Sequence, residues 1–174
     1  HWTDAHRDEL GISAIVMAGE SGGGNLALAT TLQAKRDGRI GSIHGVYAMC
    51  PYIFGGYANP PTQLLSLQEN DGYTLDCSLM STLVKVYDPD LLNARNPLAW
   101  PYHATPEELV GLPPHIISVN ELDPLRDEGL VFFRKLLAAG NSATARIVPA
   151  TNHAGDLSFP DVAPEPYQET LRSL

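Results

Sequence analysis

Ser21 is the residue whose neighbours point most directly to chemistry. It lies in the segment Gly19-Glu20-Ser21-Gly22-Gly23, which has the spacing G-x-S-x-G. In that pattern the serine occupies a sharp turn between a strand and a helix, so that its hydroxyl is exposed and can act as a nucleophile. The segment follows an apolar run and precedes a run rich in Leu and Ala, as such a turn requires. A glycine-rich turn with an incidental serine is the alternative interpretation.

The same glycines also fit a second pattern. Gly22, Gly24 and Ala27 satisfy G-x-G-x-x-A, which binds the pyrophosphate of a dinucleotide. That motif needs an acidic residue about 20 positions further on, at the end of the next strand, to hold the ribose. Residues 47–51 end the next apolar run and contain no carboxylate. No Lys-Ser or Lys-Thr pair follows the glycines either, which argues against a phosphate-binding P-loop.

A nucleophilic serine needs a base to take its proton and an acid to orient that base. The chain offers Asp123, just past the apolar run at residues 115–119, and His153, just past the run at residues 145–148. Each would follow a strand of its own, in the order serine, acid, histidine that accompanies a G-x-S-x-G turn. We therefore predict Ser21, Asp123 and His153 as a catalytic triad, and the backbone N–H of Gly22 as an oxyanion donor.

Two other acids compete with Asp123 in this assignment. Asp127 stands beside Glu128 where a helix is predicted to begin, a position that suits negative charge because of the helix dipole. Asp156 is only three residues from the histidine that it would have to face. Glu20, next to the predicted nucleophile, is assigned no catalytic role.

The elements that must position these residues alternate between strands and helices. This alternation predicts an α/β fold with a mostly parallel sheet and flanking helices. The first strand reads as a near-continuous apolar run, which is typical of a strand buried on both faces. The predicted strands cover residues 12–18, 43–49, 115–119 and 145–148, and the predicted helices cover residues 25–36, 79–87 and 129–139.

Residues 51–114, between the second and third strands, are too many for a simple crossover. We interpret about residues 52–110 as a helical lid inserted over the carboxyl ends of the strands, where open α/β sheets bind their ligands. Trp100 and Tyr102 lie in the Pro-rich segment of this insertion. They are the candidate walls of a substrate pocket.

Composition limits the partners of the chain. The 174 residues are 44% hydrophobic and carry a net charge of −9, and their basic residues form no cluster that could bind nucleic acid or an anionic membrane. Cys50 and Cys77 lack C-x-x-C spacing, so we interpret them as small buried apolar residues. No signal peptide or membrane span is visible, and a cytoplasmic location is the expectation. The sequence leaves homo-oligomerisation open.

Several segments together resemble the hormone-sensitive-lipase-like family of microbial esterases. The similarity implies the α/β-hydrolase fold, hydrolysis of small carboxylic esters through an acyl-serine, and the triad Ser21, Asp123 and His153. It implies no metal or organic cofactor. The segments that carry it are GESGGGNLALATTL (19–32), ENDGY (69–73), VYDPD (86–90), NPLAWPY (96–102), GLPP (111–114) and NELDPLRDEG (120–129).

The chain departs from this family in two ways. Ala154-Gly155 follows the histidine, where the family commonly has Gly-Phe, and the family's upstream His-Gly-Gly-Gly segment is absent. We therefore expect residues 1–174 to be the C-terminal part of one α/β-hydrolase domain. The expected function is that of a serine carboxylesterase for short to medium acyl chains. A non-catalytic, ligand-binding relative of the same fold or an inactive fragment is the alternative.

Overall fold

Four strands form one parallel sheet in the computed structural model, which describes residues 1–174. The strands are Val16–Glu20 (β1), Gly45–Met49 (β2), His115–Asn120 (β3) and Ala143–Val148 (β4). They lie side by side in the order β1-β2-β3-β4, so every strand pairs with its neighbour in sequence. All four carboxyl ends therefore meet at one edge of the sheet. The predicted α/β architecture is confirmed.

Nine α-helices and two short 3₁₀ segments accompany the sheet. Two long helices make the crossovers from β1 to β2 and from β3 to β4. The helices are Trp2–Ala5 (α1), Arg7–Leu10 (α2), Gly22–Arg36 (α3), Ser66–Glu69 (α4), Cys77–Tyr87 (α5), Pro106–Leu109 (α6), Arg126–Ala138 (α7), Gly155–Ser158 (α8) and Pro164–Ser173 (α9), and the 3₁₀ segments are Ile40–Ser42 and Pro101–His103. No helix combines the length and the apolar character needed to cross a bilayer.

The two faces of the sheet are covered differently. Helices α3 and α7 bury their apolar sides against one face, where alternate residues of β2 and β3 meet them in a single core. The sheet contributes Val46, Ala48, Ile117 and Val119, and the helices contribute Ala27, Leu28, Leu32, Phe132 and Leu136. Helix α9 lies on the opposite face, where the hydroxyl of Ser173 is 2.7 Å from that of Tyr47 on β2.

The first strand differs from its prediction. We expected residues 12–18 and burial on both faces, but β1 covers Val16–Glu20 and its Val16 is 59% exposed. Pairing with β2 begins only where Val16 meets Gly45, and the strand then continues through Glu20 to the serine turn. Met17 packs against the core on one face of the sheet, whereas Val16 and Ala18 on the opposite face are exposed. The expectation of a fully buried strand was wrong.

Helix starts also lie earlier than predicted. Helix α3 begins at Gly22 rather than Asn25, because it starts immediately after the serine turn. Helix α7 begins at Arg126 rather than Gly129, which places Asp127 and Glu128 in its first turn. Strand β4 likewise begins two residues before its prediction, at Ala143.

The stretch between β2 and β3 has a small core of its own. It contains α4, α5, α6 and the second 3₁₀ segment. Its buried apolar side chains pack together and against Leu125, next to the start of α7. They are Tyr57, Leu64, Leu67, Met80, Val84, Ala99 and Trp100.

A buried carboxyl ties this stretch to the sheet. Glu128 is 1% exposed, and its Oε1 accepts hydrogen bonds from the N–H of Ile53 (2.6 Å), the N–H of Phe54 (3.1 Å) and the hydroxyl of Tyr57 (2.9 Å). Its Oε2 has no hydrogen-bond partner in the protein. Burial raises the pKa of Glu128 to about 8, although the three donated hydrogen bonds act in the opposite direction. The carboxyl is therefore protonated in the folded protein near neutral pH.

This protonation makes stability depend on pH. Between pH about 6.5 and 8 the folded protein holds a proton on Glu128 that the unfolded chain has already released, so stability falls as pH rises. We expect the free energy of unfolding to fall by about 2 kcal/mol over this window, since one pKa unit corresponds to about 1.4 kcal/mol. His115, whose pKa burial lowers to about 4, adds a smaller slope of opposite sign at the lower end of this window, because the histidine of the unfolded chain still titrates near pH 6.5.

Urea unfolding of wild type, Glu128→Gln and the exposed-site control Glu169→Gln across this window measures the effect. Glu128→Gln should flatten the pH dependence, whereas Glu169→Gln should keep it. An equally steep decline in Glu128→Gln would contradict the assignment.

Candidate active site

Ser21 sits on a strained turn at the end of β1. Its backbone has φ 53° and ψ −116°, a region that residues with side chains rarely occupy. Two backbone hydrogen bonds connect the turn to the end of β2 and the residues just after it. The N–H of Ser21 donates to the carbonyl of Met49 (2.9 Å), and the N–H of Tyr52 donates to the carbonyl of Ser21 (3.1 Å). The hydroxyl of Ser21 is consequently presented at the edge where the strands end.

Glycines allow the strand and helix to meet this closely. A Cβ on Gly19 would lie 2.2 Å from the carbonyl oxygen of Gly23, so no other residue fits there without displacing the helix. A Cβ on Gly24 would lie 3.1 Å from Pro51, on the segment that follows β2. Gly22 is the first residue of α3, so its N–H has no partner within the helix and remains free to donate to a ligand.

The structure brings the three predicted triad residues together. His153 lies in the loop after β4, with its Nε2 2.9 Å from the hydroxyl oxygen of Ser21 and its Nδ1 2.8 Å from Oδ2 of Asp123. Asp123 is fully buried just past β3, and its Oδ1 accepts from the N–H of Leu125 (2.9 Å). One hydrogen-bonded path therefore runs from the carboxylate through the imidazole to the serine hydroxyl.

The rival acids have other contacts. Asp127 accepts from the N–H of Ser66 (2.8 Å), at the start of α4. Asp156 is buried and accepts from Asn120 (2.7 Å) and from the hydroxyl of Thr170 (2.6 Å) on α9. Neither carboxylate is hydrogen-bonded to His153. Both link secondary-structure elements instead.

Asn70 is a residue that the sequence reasoning missed. It is 4% exposed, and its Nδ2 donates to the carbonyls of Glu121 and Asp123, each at 3.1 Å. It thereby fixes the loop that carries the buried acid. The segment ENDGY, which contains Asn70, was noted only as part of the family resemblance, and that was the available signal.

Glu20 and Cys50 complete the surroundings of the imidazole. Oε1 of Glu20 lies 3.6 Å from Nε2 of His153 and 3.8 Å from Sγ of Cys50. Burial raises the pKa of the Cys50 thiol well above its usual range, and the charges of Asp123 and Glu20 add to the effect. These three side chains, Glu20, Cys50 and His153, are the group in this site that could hold a metal ion.

An apolar cavity of about 280 Å³ opens beside the serine turn. Trp100 is one of its walls, as the sequence suggested, but Tyr102 is not. Tyr102 instead packs edge-on against Phe54 at 5.0 Å, and its carbonyl accepts from Lys135 on α7. The walls of the cavity are Gly22, Asn25, Leu26, Tyr52, Leu83, Tyr87 and Trp100.

Comparison with known proteins identifies the family to which this chain belongs. Residues 1–156 match the family described as alpha/beta hydrolase fold, and the chain belongs to that family. The resemblance to hormone-sensitive-lipase-like esterases is also confirmed. The structure is similar to that of brefeldin A esterase, a bacterial homologue of human hormone sensitive lipase, with 51% identity and a TM-score of 0.96 over 99% of this chain and 49% of that one.

Other relatives are also named as esterases. The structure of esterase Est22 is 47% identical with a TM-score of 0.88, over 99% of this chain and 50% of that one. Carboxylesterase NlhH of Mycobacterium tuberculosis is 33% identical, over 99% of this chain and 53% of its own length. An arylesterase of Saccharolobus solfataricus is 33% identical, over 88% of this chain and 48% of its own length. The chain thus spans about half the length of these relatives.

The close approach of strand and helix at the serine turn can be tested by comparing alanine substitutions at two glycines, Gly19 and Gly23. Gly19→Ala places a methyl group against the backbone of Gly23, whereas a Cβ on Gly23 itself meets no atom within 4 Å. We expect Gly19→Ala to lower the free energy of unfolding by about 3 kcal/mol or more, because overpacking against backbone cannot relax through a side chain. Gly23→Ala, inside α3, should be neutral or slightly stabilising. Urea unfolding measures both, and equal effects of the two substitutions would refute this account of the turn.

Proposed function

We propose that this chain supplies the nucleophile, base and acid of a serine carboxylesterase. The observation that carries the proposal is a pair of hydrogen bonds, in which Nδ1–H of His153 donates to Asp123 (2.8 Å) and the hydroxyl of Ser21 donates to Nε2 of His153 (2.9 Å). The names of the relatives, which are esterases and carboxylesterases, agree with it. A non-catalytic binding protein of this fold would have no need for a complete triad.

Acylation would begin at the serine hydroxyl. Nε2 of His153 accepts the proton as the oxygen of Ser21 attacks the carbonyl carbon of the ester. Asp123 keeps Nδ1 protonated and directed towards itself, and it stabilises the imidazolium that forms. The N–H of Gly22, at the positive end of the α3 dipole, donates to the developing oxyanion. The imidazolium then protonates the leaving alcohol, and the acyl group remains on Ser21.

Deacylation would repeat these steps with water. His153 removes a proton from the water molecule that attacks the acyl-serine, and it returns that proton to the oxygen of Ser21 as the acid departs. The buried position of Asp123 matters in both halves, because a carboxylate shielded from water interacts more strongly with the imidazolium. The reaction as written balances without a metal or an organic cofactor.

One backbone donor is a weak oxyanion hole, and removal of a single donor commonly costs about 10²- to 10³-fold in kcat. In hydrolases with this serine turn a second donor comes from a glycine loop elsewhere in the domain. We propose that residues 1–174 form the C-terminal part of one α/β-hydrolase domain, in which an upstream segment supplies that loop. The twofold greater length of the relatives supports this, as does the exposed edge of β1.

The apolar cavity beside Gly22 is our candidate for the acyl-binding pocket. Its walls include Leu83 and Tyr87 of α5, which belong to the proposed lid at about residues 52–110. At about 280 Å³ it suits short to medium acyl chains of small esters. Because Trp100 is fully buried, it also serves the core of the insertion.

The first test is covalent labelling of the complete protein. We expect a fluorophosphonate probe to modify Ser21 and to abolish hydrolysis of p-nitrophenyl esters. Ser21→Ala should eliminate both labelling and turnover, because the triad acts as a unit. Ser78→Ala removes an exposed hydroxyl on α5 and should change neither. Intact-mass spectrometry with steady-state rates measures the outcome, and labelling that persists in Ser21→Ala would refute the proposal.

The assignment of this cavity as the acyl-binding pocket can be tested with two leucines of α5. Leu83 lines the cavity, whereas Leu79, one turn earlier and equally exposed at 45%, does not. Leu83→Trp should fill the cavity and lower kcat/KM for octanoate esters by about tenfold or more relative to acetate esters, since each lost methylene contact is worth ~1 to 3 kcal/mol. Leu79→Trp should leave the ratio unchanged. An equal ratio in both variants would place the acyl chain elsewhere.

A further inference from the structure

Three potential metal ligands meet at the carboxyl edge of the sheet. Glu20 is the last residue of β1, Cys50 directly follows β2, and His153 follows β4. The register of β1 and β2 pairs Glu20 with Met49, which brings Glu20 and Cys50 to the same level. A ring nitrogen of His153, Sγ of Cys50 and a carboxylate oxygen of Glu20 all lie within 4.8 Å of one another, and Nε2 of His153 is 3.6 Å from Oε1 of Glu20.

The chemistry of this set suits a borderline-soft divalent cation. Zn²⁺ binds thiolate, imidazole and carboxylate, with bonds of about 2.0 Å to nitrogen and oxygen and about 2.3 Å to sulfur. A tetrahedral ion with these bonds holds its ligand atoms roughly 3.3–3.7 Å apart. The separations of 3.6 Å from Glu20 to His153 and 3.8 Å from Glu20 to Cys50 are close to that requirement, and the third pair lies within 4.8 Å.

A second observation concerns the orientation of the histidine. Histidines that bind zinc through one ring nitrogen commonly donate the other N–H to a carboxylate, which fixes the tautomer and strengthens the ligand. Nδ1 of His153 is held in that way by Asp123 at 2.8 Å, so the lone pair is on Nε2, where a metal ion would displace the hydroxyl of Ser21 that lies 2.9 Å away. The carboxylate of Glu20 is 41% exposed, so an ion can reach the group from solvent.

We propose that Glu20, Cys50 and His153 form an inhibitory site for Zn²⁺ or a similar thiophilic divalent cation. The ion takes the Nε2 lone pair that Ser21 needs as its proton acceptor. Binding replaces the thiol proton of Cys50, which leaves to solvent, and forms the three bonds from sulfur, nitrogen and oxygen to the metal. A fourth position remains open to water or to the hydroxyl of Ser21. The inhibitory consequence rests on the proposed function, whereas metal binding does not.

The test separates binding from inhibition. Cd²⁺, which gives an ultraviolet thiolate-to-metal charge-transfer band, is titrated into the complete protein, and Zn²⁺ is titrated against p-nitrophenyl butyrate turnover. Cys50→Ser keeps the size of the side chain but removes the thiolate, and Cys50→Ala serves as a second variant if Cys50→Ser melts early. Cys77→Ser is the matched control, because Cys77 is the chain's other free thiol and lies outside the group.

We expect a band that saturates at one Cd²⁺ per chain in wild type and Cys77→Ser and is lost in the Cys50 variants. Zn²⁺ should inhibit wild type reversibly, with the inhibition relieved by a chelator and weakened by at least about tenfold without the Cys50 thiolate. No band in wild type, or an equal Zn²⁺ response in Cys50→Ser, would overturn the proposal. A saturated band with full turnover would also overturn it. If the protein shows no turnover before any metal is added, that result would count against the proposed esterase function. The Cd²⁺ band would still show whether the metal binds at Cys50.

Discussion

The strained backbone of Ser21 is the constraint on which the site depends. A positive φ at a serine persists only if the surrounding structure enforces it. Here the enforcement is the absence of side chains at Gly19 and Gly24, which lets β1, α3 and the segment after β2 touch through their backbones. The hydrogen bonds of Ser21 to Met49 and Tyr52 close the same turn. The position of the Ser21 hydroxyl beside His153 and the free N–H of Gly22 are both consequences of this one packing arrangement.

The buried acid depends on the stretch between β2 and β3. Asn70 donates to the carbonyl of Asp123, and the hydroxyl of Ser66 donates to that of Pro124 (2.7 Å), so this stretch braces the loop that carries the carboxylate. At the other end of the stretch, the N–H groups of Ile53 and Phe54 donate hydrogen bonds to the side chain of Glu128 on α7. The insertion therefore contributes to positioning the acid as well as to the walls of the cavity. A change in its packing is expected to reach the triad through these contacts.

Much of this arrangement could be predicted from the sequence because parallel strands share one carboxyl edge. Ser21, Asp123 and His153 each follow an apolar run, and that alone brings them to the same edge. The bounds and exposure of β1 could not be predicted, since a continuous apolar run does not say where pairing with the next strand begins or which elements cover its faces. Glu128, Asn70 and the Glu20–Cys50 pair were missed because their roles arise from contacts with residues distant in sequence. No local spacing encodes those contacts.

In the proposed mechanism, Asp123 sustains the reactivity of Ser21 through His153. The most direct measurement compares kcat/KM for p-nitrophenyl butyrate in Asp123→Asn and Asp127→Asn forms of the complete protein. Asp127 is a matched control, because it is also a carboxylate near the start of α7 but contacts Ser66 instead of His153. We expect kcat/KM to fall by about three to four orders of magnitude in Asp123→Asn and only a few-fold in Asp127→Asn. An Asp127→Asn variant as impaired as Asp123→Asn, or an Asp123→Asn variant with nearly full activity, would contradict it.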